Sequence, residues 1–283
     1  MTSKTDAPLT TSKGHSMSEA NYLDSHYLAC QPEYEMMLKS VGLQAGWRVL
    51  DAGCGSGSFL PLMSQLIGPT GQIDALDMAP ENVAHVQGLQ DQGVYACPVT
   101  VQAGSVSQLP YEDDTFDAIW CANTTQYLSD DDLQATLTEF QRVLKPAGLL
   151  ALKESNVLCL QWQPMDPLLW ARTMQALVEI DYQYVLQLLR GAALPTWVKH
   201  AGFKVNSAKT VMIERRQSLS GSERSYITSL LGRIAQVAKT HDSVSVEDEV
   251  TWARLGLSSS PDFILNHPDF YYSEGNVMIT AGN

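Results

Sequence analysis

The run Val49-Leu50-Asp51-Ala52-Gly53-Cys54-Gly55-Ser56-Gly57-Ser58-Phe59 limits the fold more tightly than any other part of the chain. A short apolar stretch passes into three glycines at alternate positions, and a helical pattern follows. Glycine has no Cβ, so the main chain can turn sharply here and let a ligand come close to it. Backbone N–H groups at a helix start suit a carboxylate as well as a phosphate. Strand, tight turn and helix in succession form the repeating unit of an α/β sheet with helices on its faces.

The rest of the chain repeats that rhythm. Buried strands are predicted at Arg48 to Ala52, Gln72 to Asp77, Val99 to Ala103, Asp117 to Cys121 and Leu149 to Lys153, spaced for crossover helices. Ser129 caps a helix that carries Leu133, Leu137, Phe140, Val143 and Leu144 on one face, and Lys145-Pro146-Ala147-Gly148 stops it. Pro80 opens another, with Val83, Val86 and Leu89 on one side. Leu158 to Leu189 reads as long and helical, dense in Trp162, Met165, Trp170, Met174, Tyr182 and Tyr184. It lies beyond the carboxyl end of a strand, where α/β proteins place ligands, so part of it is open to a role as an apolar substrate pocket as well as ordinary core. A short helix at Leu194 to Ala201, a strand at Gly202 to Glu214, two helices within 215–268 and a strand at Gly275 to Ala281 complete the order. Tyr226, Leu230, Ile234 and Val237 mark the first inserted helix, and Ser245 with Asp248 caps the second. If the last two strands pair antiparallel, everything between them is an insertion on a hairpin.

Composition narrows the partners. The formal charge of -13 opposes a nucleic-acid substrate, whose backbone must be neutralised by Lys and Arg. Five scattered cysteines, with no CxxC pair, suggest neither a disulfide framework nor a zinc knuckle. The start of the chain, rich in Ser, Thr and Lys, lacks the apolar segment of a signal peptide, and no later stretch is long enough to span a bilayer. A cytoplasmic, soluble protein without a metal is the expectation.

A second polar feature accompanies the glycine turn. Asp77 ends the next strand, where its carboxylate can accept both hydroxyls of a ribose and repel a 2'-phosphate. Together the two features point to a nucleoside ligand. The dinucleotide fingerprint Gly-x-Gly-x-x-Gly needs a glycine where Ser58 stands, which leans away from NAD while keeping an NAD-dependent enzyme as an alternative.

The run from Val49 to Phe59, Asp77 after its strand, Phe116-Asp117-Ala118-Ile119, Gln126-Tyr127-Leu128 and Arg142-Val143-Leu144-Lys145-Pro146-Ala147-Gly148 resemble the successive motifs of class I S-adenosylmethionine-dependent methyltransferases. Their order is similar to the small-molecule branch that includes ubiquinone and menaquinone methyltransferases. The resemblance implies a Rossmann-like α/β fold: a seven-stranded, mostly parallel sheet with an antiparallel last strand, helices on both faces and a helical insertion between the last two strands. It divides the chain into a tail and cofactor-covering helix (1–33), a core (34–214 and 269–283, with 155–195 a helical substrate-side segment) and an inserted lid or dimer interface (215–268).

Site roles follow from the same resemblance. Asp51, Gly53, Cys54 and Gly55 would line the methionine end of S-adenosylmethionine, Asp77 would hold the ribose, and Met78 would pack on adenine. Gly104, Ser105 and Val106 would border the adenine, although the family usually carries an acidic residue where Ser105 stands. Cys121, Ala122 and Gln126 would face the methionine and sulfonium, while Tyr22, His26 and Tyr27 either fold over the cofactor or anchor a surface helix.

The expected reaction is methyl transfer, with S-adenosylhomocysteine as product, to a small and largely apolar acceptor. A cofactor-binding module without turnover is the alternative. No general base is identified: Glu154 is a candidate for substrate contact, His200 reads as a helix-end surface residue, and His241 and His267 are unplaced.

Overall fold

The structure, a computed structural model, describes residues 20–179 and 182–283. In chain order the elements are α1 (Ala20–Ser40), β1 (Arg48–Ala52), α2 (Leu60–Ile67), β2 (Gln72–Asp77), α3 (Pro80–Asp91), β3 (Val99–Ala103), β4 (Phe116–Ala122) and α4 (Asp130–Val143). There follow β5 (Leu144–Gln163), α5 (Leu169–Val178), α6 (Tyr182–Leu189), α7 (Leu194–His200), β6 (Lys204–Arg216), α8 (Gly221–Thr240), α9 (Val246–Gly256) and β7 (Tyr271–Gly282). The sheet order is β3-β2-β1-β4-β5-β7-β6. Neighbours from β3 through β5 pair parallel, whereas β7 runs antiparallel to both β5 and β6.

Alternate residues of the central strands feed two separate cores, which is why these strands read as continuous apolar runs. Val49, Ile73, Ala75 and Trp120 pack with residues of α1, α2 and α8 on one face. Leu50, Leu76, Ile119 and Leu152 pack with α4 and α7 on the other. In α4 the stripe Leu133, Leu137, Phe140 and Val143 is fully buried, and the Ser129 hydroxyl accepts from the Asp132 N–H at 3.1 Å.

The principal departure from the sequence reading is the length of β5. Residues Leu158 to Gln163, expected as helix, are strand, because Tyr271 to Ser273 of β7 supply a backbone partner as far as Gln163. Non-local pairing has overridden the local pattern there. Helical structure resumes at Leu169, and the side chains of Tyr182 and Tyr184 lie outside the described residues.

The expected division at residue 33 also falls inside an element, since α1 runs unbroken to Ser40. The tail 1–19 lies outside the described residues. The inserted helices start on firm caps: Ser220 and Glu223 form a reciprocal capping box, and Ser245 accepts from the Asp248 N–H. Arg215 ties the insertion to α1, pairing with Glu33 at 2.8 Å and Glu223 at 2.6 Å. Among the described residues no helix is long and apolar enough to cross a membrane.

Candidate active site

A cavity of about 370 Å³ runs across the carboxyl edge of the sheet. Its lining follows the strand order: Gly104 to Ser107 beyond β3, Asp77 and Met78 at the end of β2, the glycine turn after β1, Ala122 to Thr124 after β4, Ser155 and Asn156 in β5, and Glu274 in β7. Because β7 is antiparallel, its first residues reach the edge where the parallel strands end. The helices α1 and α8 close the top with Leu23, His26, Tyr27, Tyr34, Tyr226 and Leu230.

The glycine turn is built for close approach. Gly53 has φ +82°, and a Cβ there would collide with the Thr124 side chain; Gly57 has φ +78°, and a Cβ would meet Val86 Cγ2 at 2.9 Å. The first amides of the turn are already engaged. The N–H groups of Gly53 and Cys54 both donate to the Leu76 carbonyl (2.8 and 3.0 Å), and that of Gly55 donates to Asp77 Oδ2 (2.8 Å).

Asp77 therefore has a structural task besides any ligand. Its Oδ1 also accepts from the Ala79 N–H at 2.9 Å and Asn82 Nδ2 at 3.0 Å, so one carboxylate joins the glycine turn to the start of α3. A carboxylate has about four acceptor sites, which leaves capacity for a hydroxyl. Met78, 48% exposed, lies over the cavity beside it. Ser105 lines the cavity and is paired with Ser107 at 2.8 Å.

Asp51 is the most unusual group in the turn. It is buried, and its Oδ2 has no hydrogen-bond partner. Burial, assisted by the neighbouring charge of Asp77, pushes its carboxyl up to about 8. A buried acceptor without a partner costs about 1–3 kcal/mol, and it faces the cavity. A cationic ligand group would remove that cost, and the α-ammonium of S-adenosylmethionine is one. The residues fit that group.

Other expected site residues divide clearly. Tyr27, Cys54, Gly55, Val106, Ala122 and Gln126 line the cavity, and the side chain of Tyr22 lies outside the described residues. Cys121 and Glu154 do not line it. The Cys121 thiol is buried behind the strand end, and burial pushes it well up. The Glu154 carboxylate turns inward to accept from the Thr125 hydroxyl (2.7 Å) and the Gln126 N–H (3.0 Å). It holds the turn after β4 and lies outside the cavity lining. The segment 158–189 divides: Trp162 packs edge-on to Trp170 and Trp252 in the core, whereas Leu160 lines the cavity in an apolar wall with Val157, Leu128 and Leu230.

Sequence patterns did not reveal Asp24, whose carboxylate accepts from Ser56 Oγ at 2.9 Å and Ser58 Oγ at 3.3 Å and so fastens α1 over the glycine turn. Nor did they reveal Tyr34, Lys153 and Glu274. Lys153 is buried, donates to Asn123 Oδ1 at 2.7 Å and lies 3.8 Å from the centre of the Tyr34 ring. Burial draws its ammonium down to about 8, against the raising influence of Glu274, Cys30 and Glu154. Burial would raise the carboxyl of Glu274, but His26, Tyr272 and Lys153 together hold it well below the ordinary range.

A mostly parallel sheet with a Cβ-free turn after its first strand, an acidic residue after the second and a cavity along the carboxyl edge is the arrangement in which α/β proteins place their ligands. Residues 49–148 match the family described as "Methyltransferase domain". The chain is 35% identical over 127 residues to malonyl-[acyl-carrier protein] O-methyltransferase of Erwinia billingiae (strain Eb661), a match covering 43% of this chain and 46% of that one. It is 30% identical over 124 residues to demethylmenaquinone methyltransferase of Staphylococcus aureus (strain JH9), covering 42% and 48%. The chain thus spans about half the length of these curated relatives. The YcgJ protein of Bacillus subtilis has the same fold, with a TM-score of 0.54 at 20% identity over 88% of this chain and 96% of that one.

Proposed function

We propose that this protein is an enzyme that transfers the methyl group of S-adenosylmethionine to a small, largely apolar molecule. The observation that carries the reading is the partnerless buried carboxylate oxygen of Asp51 beneath the glycine turn, opening into a cavity that continues past it to Val157, Leu160 and Leu230. Asp51 would pair with the ammonium, Asp77 would accept from a ribose hydroxyl, Met78 and Val106 would flank the adenine, and Ser105 would accept from its amino group. The sulfonium, when bound, supplies an electrophilic methyl group and a good leaving group.

What remains for the protein is alignment and exclusion of water. Gly53 and Gly55 let the methionine portion lie on the main chain. Ala122 and Gln126 border the route to the acceptor, and α1, fastened by Asp24, covers it. The wall of Leu128, Val157, Leu160 and Leu230 favours an acceptor with an apolar body.

Calorimetric titration with S-adenosylhomocysteine and with NAD, followed by mass-detected methyl transfer to a metabolite panel, tests this. Binding of S-adenosylhomocysteine and methylation of apolar members are the expected results. Tight NAD binding without S-adenosylhomocysteine binding would overturn the reading, and cofactor binding with no transfer to any acceptor would leave a binding module in its place.

A further inference from the structure

At the β7 end of the cavity, opposite the Asp77 end in the strand order, the wall is polar and carries none of the roles given above. His26 of α1 lies stacked on the Tyr226 ring of α8, with centroids 4.3 Å apart and planes 10° from parallel. Its Nε2 is 2.8 Å from the Tyr34 hydroxyl and 3.6 Å from Glu274 Oε1. Glu274 is buried and accepts from the hydroxyls of Tyr226 (2.8 Å) and Tyr272, from Asn276 Nδ2 (3.0 Å) and from the Cys30 thiol (3.5 Å).

A buried carboxylate with this many donors is expensive, and apolar residues would fill the space at lower cost. It is not arranged as a lone structural pair, because the imidazole beside it faces the cavity with Tyr34. The Tyr34 hydroxyl and the Glu274 carboxylate approach the same ring nitrogen, Nε2, so a proton leaving Tyr34 arrives on the histidine beside a buried carboxylate. Among candidate acceptors a hydroxyl needs this most, since a neutral amine already presents its electron pair.

We propose that Tyr34 and His26 take the proton of an acceptor hydroxyl, with Glu274 as the carboxylate that stabilises the imidazolium so formed, so that the acceptor is a phenol or enol and the product its methyl ether. The proposal rests on the methyltransferase reading. The acceptor's hydrogen passes to Tyr34 Oη as the Tyr34 hydrogen passes to His26 Nε2. The freed electron pair on the acceptor oxygen forms the O–CH₃ bond while the S–CH₃ bond breaks, and its pair stays on sulfur as a neutral thioether. The imidazolium nitrogen lies 3.6 Å from the Glu274 carboxylate and returns its proton to solvent as product leaves.

The charges around His26 permit this. Facing it are Tyr34 of its own helix, Tyr226 of α8 and Glu274 of β7, and Cys30, Tyr272 and Lys153 surround the carboxylate. With Lys153 and Glu274 both ionised the cluster is neutral. A proton arriving on His26 gives the cluster one positive charge, which the anionic acceptor oxygen offsets until it is methylated.

The test needs no knowledge of the natural acceptor. The full chain, saturated with S-adenosylhomocysteine, is titrated with 4-nitrophenol at a pH where the free phenol is largely protonated, and the phenolate absorbance band is followed. In parallel, 1-naphthol and 1-naphthylamine are offered with S-adenosylmethionine. We expect the band to appear on binding and the naphthol alone to be methylated. In His26→Gln the band disappears and kcat falls by roughly 10²–10⁴-fold, with KM and S-adenosylhomocysteine affinity held within about threefold; Tyr34→Phe behaves similarly.

Glu274→Gln should flatten the pH profile of kcat, and if that variant fails to fold by circular dichroism the two α1 variants decide the matter. Methylation of the amine in preference to the naphthol, an unchanged kcat in His26→Gln, or no phenolate band and no ether from any hydroxyl probe would overturn the relay. Absence of S-adenosylhomocysteine binding would instead bring down the methyltransferase reading beneath it.

Discussion

The carboxylate of Asp77 accepts the backbone N–H of Gly55 at 2.8 Å, so the acidic end of β2 and the turn after β1 are one hydrogen-bonded unit. The group proposed to read the ribose also fixes the turn on which the methionine portion would lie. Asp77→Ala should weaken S-adenosylhomocysteine binding by about 1.5–3 kcal/mol, the usual worth of hydrogen bonds to a charged group. Calorimetry checks this, and affinity equal to wild type would remove Asp77 from the site.

Asp51 predicts an opposition between stability and binding. Its carboxyl is raised to about 8, so between its ordinary value of 3.8 and 8 the unfolded chain ionises while the folded chain keeps its proton. Stability from this group is thus greatest at acid pH and is lost progressively as pH rises through that window. Asp51→Asn should remove the slope. At pH 7 it should gain about 1 kcal/mol, a Tm rise of roughly 2–4 °C, while cofactor affinity falls. Thermal melts across that range measure the first effect, and calorimetry in buffers of differing ionisation enthalpy should show wild type releasing a proton on binding. A Tm unchanged by the substitution at every pH would refute the assignment.

Gly53→Ala places a Cβ at φ +82° against the Thr124 side chain. The strain should cost about 1–3 kcal/mol of stability. Thr124→Gly on the same background should restore part of it by clearing the collision, leaving the backbone cost. Denaturant unfolding of the single and double variants separates the two; no recovery would mean that Thr124 is not the obstacle.

Arg190, buried, donates to the Thr125 and Leu128 carbonyls (2.7 and 2.6 Å) and pairs with Asp130 at 2.6 Å. Arg190→Met should strand those carbonyls, at about 1–3 kcal/mol, and loosen the turn that carries Gln126. Hydrogen exchange at residues 124–128 should rise while exchange in β1 and β2 stays as it was.

Asp24 holds the serines of the turn from above. Asp24→Ala should speed S-adenosylhomocysteine dissociation by roughly fivefold, corresponding to about 1 kcal/mol, with stopped-flow fluorescence as the measurement. An unchanged rate would show that α1 does not restrain the ligand.

The proposed nucleoside half of the site was legible because it is local. The bounds of β1, β2 and β3 and the cap of α4 follow from apolar runs and a hydroxyl three residues before its amide, and Asp77 follows its strand directly. The acceptor half was not, for a geometric reason. Cys30 and Glu274 meet across 244 positions of sequence, and neither lies in a pattern that marks it. Likewise Leu158 to Gln163 became strand only because the far end of the chain pairs with it. Glu154 looked suited to contact substrate from its place after the fifth strand, yet which way a carboxylate turns at a strand end depends on neighbours such as Thr125 that periodicity does not locate.

The position of β7 between β5 and β6 bears on how the molecule is assembled. Its pairing with β5 is the sheet's most non-local, and contacts of that kind form late, after the chain has met the entropy of closing long loops. Until residues 271–282 are in place β6 has no partner, and Glu274 is not yet beside His26. The segment from β1 to β4 requires none of this. During synthesis the glycine turn and Asp77 can settle first, and the wall facing the acceptor is completed only when the sheet itself closes, so that a misfolded or clipped C-terminal strand would yield a molecule with its nucleoside half built and its chemistry missing.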